Sequence, residues 1–147
     1  MNDVPVQAGW VTWALLSAVF AALTAIFAKI GLEGIDSDFA TLIRTMVIVL
    51  ALGAFVAATG KWQGLAVVGG RSGFFLVLSA LATGASWVCY YRALKIGDAA
   101  KVAPVDKLSV VLVAVFAVAF LGERPAARDW LGILLIAAGV VLLALKR

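Results

Sequence analysis

The residues of this sequence with the most chemical leverage are ionisable groups set inside long apolar runs, foremost Arg44, Asp106 and Lys107. An unpaired charge in hydrocarbon costs at least a few kcal/mol, so each needs a partner, water or a change of protonation. Arg44 lies about six residues into its run, roughly 9 Å at 1.5 Å rise per residue, and its long stem can return the guanidinium toward the interface. Asp106 has no such reach. With a helix starting near residue 99, Asp106 and Lys107 sit roughly 10 to 12 Å deep. Adjacent residues point about 100° apart on a helix, so the two are expected to be poor partners for each other. Asp106 is therefore the expected carrier of any coupled proton, and Arg44, Asp106 and Lys107 the core of a substrate site.

Other side chains fall toward the same end of the runs. Lys29 closes the first run, Arg92 closes the third, and with Arg44, Asp106 and Lys107 they sum to a water-accessible vestibule of net positive field suited to a carboxylate. The alternative is structural: Lys29 and Arg92 anchor at the interface, Arg44 snorkels and Asp106 makes one ion pair. Pro104, just before the Asp106/Lys107 pair, frees the carbonyl four residues back, at Ala100, and bends the helix. Trp87 and Tyr90 are candidate pocket rings, although Tyr90 and Tyr91 also stand where an aromatic belt is expected. Glu123 at the end of the fourth run opposes the helix dipole and is expected to pair with Arg124 or Arg128 or to cap the next helix. Gly132 and Gly139 make a small-residue face expected to pack against a helix.

The counts exclude other chemistry. There is no histidine and one cysteine, Cys89. The imidazole base is missing, and neither an internal disulfide nor a thiolate zinc site can form. Gly84 to Trp87 echoes the nucleophile setting of intramembrane serine proteases, but without a histidine base that reading falls. Neither enzyme, metal nor cofactor is expected. The twelve Lys and Arg are scattered singly at the ends of apolar runs, which is topology charge and no nucleic-acid patch.

These residues must be positioned by membrane helices. The chain has 147 residues, 65% hydrophobic and 14% charged, with a net charge of +4 and a mean hydropathy of +1.11. Soluble domains carry roughly 45 to 50% apolar and about 25% charged residues, so a water-soluble globule is excluded. A hydrocarbon core needs roughly 20 apolar residues per helix, and residues 9–28, 39–59, 72–91, 99–122 and 130–145 supply such runs. No alternating segments of transmembrane strands are present, so the expected fold is an all-α integral membrane bundle of five helices in one domain, residues 9–146. The first run is too long for a signal-peptide core and lacks a preceding Lys or Arg, so no cleavage is expected. An odd number of crossings puts the termini on opposite faces. The face with Lys29, Arg92, Lys95, Lys101, Lys146 and Arg147 outweighs the one with Lys61, Arg71, Arg124 and Arg128. The positive-inside rule places that face and the C-terminus in the cytoplasm, by a bias small enough to permit dual insertion.

In order and spacing, the segment Ala25 to Lys29, Arg44, the run Trp87, Tyr90, Tyr91, Arg92, Ala93, Leu94, then Val102, Ala103, Pro104, then Leu121, Gly122, Glu123, and finally Trp130, Leu131, Gly132, Ala138, Gly139 resembles the EamA domain of the drug/metabolite transporter superfamily. The resemblance covers residues 9–146. Most members resemble two such units fused; this chain, with one, is similar to the half-size, five-span bacterial and archaeal branch. What the resemblance implies is a homodimeric secondary transporter of small metabolites, amino acids or related anionic solutes among them, with antiparallel pairing of the copies, in the inner membrane and working by alternating access. Small-molecule substrate, lipid bilayer and a second copy are then its partners. The reading from another class is a non-transporting scaffold or assembly subunit whose deep charges are only structural; a cavity reached by water-soluble probes separates the two. Tags at Met1 and Arg147 are expected on opposite faces in accessibility labelling, and finding both on one face of one molecule removes the topology.

Overall fold

The structure, a computed structural model, describes residues 6–64 and 67–145. Met1, Lys146 and Arg147, which enter the topology expectation, lie outside the described residues. Every regular element described is helical: α1 (Val6–Gly31), α2 (Ser37–Ala58), α3 (Gly70–Ile96), α4 (Ala99–Asp106), α5 (Ser109–Phe116), a π-helical turn (Ala117–Leu121) and α6 (Ala127–Ala144). Among the described residues five segments are long and apolar enough to cross a bilayer: Gly9–Gly31, Ser37–Ala58, Gly70–Ile96, Ala99–Leu121 and Ala127–Ala144.

Local chemistry explains why the helices overrun the apolar runs. α2 starts before Phe39 because Asp36 caps it, accepting from the amides of Asp38 at 2.9 Å and Phe39 at 3.0 Å. α3 continues past Tyr91 to Ile96 because Arg92 and Lys95 both find acceptors on neighbouring segments. Asp129 accepts from the Ala126 amide at 2.8 Å and so opens α6. Glu123, expected to pair with Arg124 or Arg128 or to cap this helix, is exposed and makes no ion pair among the described residues. The capping role falls to Asp129 because it stands three residues beyond the free amide.

The fourth span departs most from expectation. In place of one continuous helix over 99–122 there are α4, a turn at Lys107 and Leu108, α5 and the π-helical turn. Pro104 lies beyond the first turn and has no N–H for the Ala100 carbonyl. After it the ladder tightens to bonds three residues back: Lys107 to Pro104 at 2.9 Å, Leu108 to Val105 at 3.0 Å, Val110 to Lys107 at 3.0 Å and Val111 to Leu108 at 3.0 Å. The span ends on Gly122, at φ 68°, and the Glu123 amide reaches back to the Ala117 carbonyl at 3.1 Å.

The chain divides into two compact units, Ala28–Ile96 and Met1–Phe27 with Gly97–Arg147. In the first, α2 and α3 pack along each other. Asp38 at the start of α2 meets Arg92 near the end of α3, and Arg44, further on, meets the earlier Trp87, so the two helices run antiparallel. Its buried residues are Ala28, Leu32, Ser37, Thr41, Tyr91 and Leu94. The Thr41 hydroxyl is satisfied within its own helix, donating to the Ser37 carbonyl at 2.8 Å. In the second unit α6 packs on α4 and α5, with Ala114, Ala117 and Val140 buried; small side chains let membrane helices approach closely. At Gly132 and Gly139 a Cβ would meet nothing within 4 Å among the described residues, so no helix approaches closely at these two positions of the face expected to pack.

Gly122→Ala places a Cβ in left-handed backbone, which costs roughly 1 to 2 kcal/mol. A lowered unfolding midpoint in detergent is expected; an unchanged midpoint would remove the role given to this glycine.

Candidate functional site

In the unit Ala28–Ile96, antiparallel packing brings α2 positions near residue 44 beside α3 positions near residues 87 and 91. The Arg44 guanidinium carbon lies 4.2 Å from the centre of the Trp87 ring and 5.5 Å from that of Tyr91. Both distances fall within the range of cation–π attraction, which strengthens as water is excluded. Arg44, Trp87 and Tyr90 are half-buried and Tyr91 is buried. Tyr90 joins the cluster through its neighbour, with the two tyrosine ring centres 6.4 Å apart. Among the described residues no carboxylate pairs with Arg44. The aromatic faces hold its charge without neutralising it, and a guanidinium carries five N–H donors suited to bidentate binding of a carboxylate.

The other expected vestibule charges in this unit are engaged. Arg92 donates through Nε to Asp38 Oδ1 at 2.9 Å and through Nη2 to Oδ2 at 2.6 Å, a bidentate pair between partly exposed side chains. Lys29 donates from Nζ to the Leu94 carbonyl at 2.7 Å. Reciprocally, Lys95 donates to the Leu32 carbonyl at 3.1 Å and to that of Ile35. The lysines thereby serve carbonyls around two helix C-termini, where positive charge is favoured. Of Lys29, Arg44 and Arg92, expected together as a net positive vestibule, Arg92 is neutralised by Asp38, whereas Lys29 keeps its charge while donating to a carbonyl and Arg44 keeps its charge against the aromatic rings. Asp38 and Lys95 were missed as site residues. Their signal is visible only once α2 and α3 are known to be antiparallel neighbours, which places the first turn of one beside the last turns of the other.

Asp106 and Lys107 lie in the other unit, at the break between α4 and α5 beside Pro104. They pair with each other, Lys107 Nζ to Asp106 Oδ2 at 3.2 Å, which corrects the expectation that sequence neighbours point too far apart. The helical spacing behind that expectation ends at Asp106, and Lys107 belongs to the turn. The pair is partly exposed, with side chains 37% and 55% accessible. A polar pair at a break in a membrane-spanning helix is an arrangement that carriers use at sites for substrates and coupling ions. Among the described residues no cluster of acidic, cysteine or histidine side chains could hold a metal ion.

Five helices among the described residues, long and apolar enough to cross a bilayer, define a polytopic helical membrane protein. The model of the EamA-like transporter family matches residues 8–145, and the chain belongs to this family. A Sinorhizobium protein named "Uncharacterized transporter in cobO 3'region" is 63% identical over 135 residues, covering 92% of this chain and 96% of the relative. No solved structure matches. The protein is therefore a multi-pass membrane transporter.

The contact between Arg44 and Trp87 is measurable as a coupling. A double-mutant cycle of Arg44→Gln and Trp87→Leu, followed by reversible unfolding in detergent, is expected to give about 1 kcal/mol of favourable interaction. Additive losses would remove the contact.

Proposed function

We propose that the chain is a secondary transporter of small carboxylate-bearing metabolites, amino acids or related anionic solutes, and that it works by alternating access. The observation that carries this reading is the state of Arg44: a cation inside a span, held by Trp87 and Tyr91 and lacking a carboxylate partner among the described residues. The family and the relative's name support transport as such; the substrate class rests on the chemistry of the guanidinium. A bound carboxylate would supply the missing counter-charge, and Trp87 and Tyr90 would line the apolar part of the solute.

Asp106 is the proposed proton carrier, with Lys107 as its counter-charge. Protonating the carboxylate releases the ammonium, so one proton alters both the charge and the hydrogen bonding at the helix break. Lys29, Arg92 and Pro104 have supporting roles in capping, pairing and bending. Alternating access in carriers is commonly built from two inverted repeats, and one five-helix unit holds no internal repeat. A second copy, antiparallel in the inner membrane, would complete the pair, with the C-terminus of the majority orientation cytoplasmic.

Reconstitution into liposomes with a panel of amino acids and organic anions tests the whole reading. Arg44→Gln is expected to abolish uptake of anions in a folded protein. Asp106→Asn is expected to leave transport lost or insensitive to pH, and Lys107→Met to weaken anionic solutes more than neutral ones. Wild-type rates and pH dependence in all three variants would reduce these residues to structural roles. Single-molecule counting in lipid should find dimers; monomers with intact transport would overturn the pairing.

A further inference from the structure

The ends of α1 and α3 enclose a feature distinct from the Arg44, Trp87 and Tyr91 cluster. Lys29, Leu32, Glu33, Gly34, Leu94 and Lys95 line an open cleft of about 290 Å³ within the unit Ala28–Ile96. Its floor is apolar, with Leu94 fully buried and Leu32 nearly so. Its rim carries both signs of charge. The ammonium groups of Lys29 and Lys95 already donate to backbone carbonyls, but an ammonium has three N–H donors, and Lys95 uses two on Leu32 and Ile35. Glu33 is exposed and makes no ion pair among the described residues.

Location limits the occupant. The first span ends at Gly31, the second begins at Ser37 and the third ends at Ile96, so the cleft lies at the boundary between hydrocarbon and water, where phospholipid headgroups reside. A simple anion would satisfy the ammonium groups but would meet Glu33 and the negative ends of α1 and α3. A simple cation would meet the two lysines. A headgroup bearing a phosphate and, two carbons away, a primary ammonium matches both. We propose that this cleft binds the headgroup of an aminophospholipid, its phosphate toward Lys29 and Lys95 and its ammonium donating to Glu33, with the acyl chains running along the apolar helix surfaces below.

The discriminating chemistry is the N–H donor. Phosphatidylcholine has the same charges but no N–H, and phosphatidylglycerol has no cation. The test is native mass spectrometry of the full chain titrated with phosphatidylethanolamine, phosphatidylcholine and phosphatidylglycerol of identical acyl chains. Phosphatidylethanolamine is expected to bind about fivefold more tightly than either, the effect of one modest hydrogen bond. Glu33→Ala, at an exposed position, removes the acceptor and is expected to lower phosphatidylethanolamine to the phosphatidylcholine level. Equal binding of the two lipids by the wild-type chain overturns the proposal whatever the variant does, and so does a preference that survives in Glu33→Ala. Soluble glycerophosphoethanolamine is expected to compete poorly because it lacks acyl chains. Competition as strong as that of the lipid would assign the cleft to a soluble ligand and overturn the membrane source.

Discussion

Hydrocarbon offers no water to an unpaired peptide group, and each such group left bare there costs several kcal/mol. That constraint accounts for the five helices and, more informatively, for how each ends. Asp36 and Asp129 take up free amides at helix starts. At the end of α2, Gly60 adopts φ 65°, which lets the Lys61 amide bond the Val56 carbonyl at 3.1 Å and the Gly60 amide bond that of Ala57 at 3.2 Å. At the ends of α1 and α3 the donors come from side chains, with Lys29 and Lys95 each reaching across to the carbonyls of the other segment. These lysines hold the two segments together by completing backbone hydrogen bonding.

The fourth span shows the same constraint under stress. Pro104 removes one donor, and the backbone responds by shortening its hydrogen bonds over the next turn, then widening to a π-helical turn before Gly122. The break coincides with Asp106 and Lys107. A regular helix would splay these side chains, whereas the turn lets them meet. The place where the helix is least regular is thus where two charges can be carried inside a span as a pair.

Pairing also sorts the remaining charges. Arg92 is matched by Asp38, Lys107 by Asp106 and Lys101 by Asp98 at 3.8 Å, whereas Arg44 is matched only by aromatic faces. A carboxylate beside a guanidinium cancels its field, but a ring quadrupole attracts the cation and leaves its charge in place. This difference distinguishes Arg44 from Arg92, Lys101 and Lys107, whose charges are each met by a carboxylate.

The sequence by itself determined the membrane location, the all-helical class and the five crossings, because those follow from the length and polarity of each run and from the need to satisfy every peptide group locally. It also marked Arg44 and Asp106 as anomalous, since a charge within an apolar run is visible without neighbours. Pro104 announced a disturbance in the fourth span, but not the turn that follows it or the pairing of Asp106 with Lys107. Only the tertiary structure decided which charges neutralise which. Asp38 and Arg92 are 54 positions apart, Lys29 and Leu94 are 65 apart, and Arg44 meets Trp87 across a helix pair. Helical periodicity fixes which residues share a face but says nothing of the register in which two helices lie side by side, and that register determines which charges meet a counter-charge.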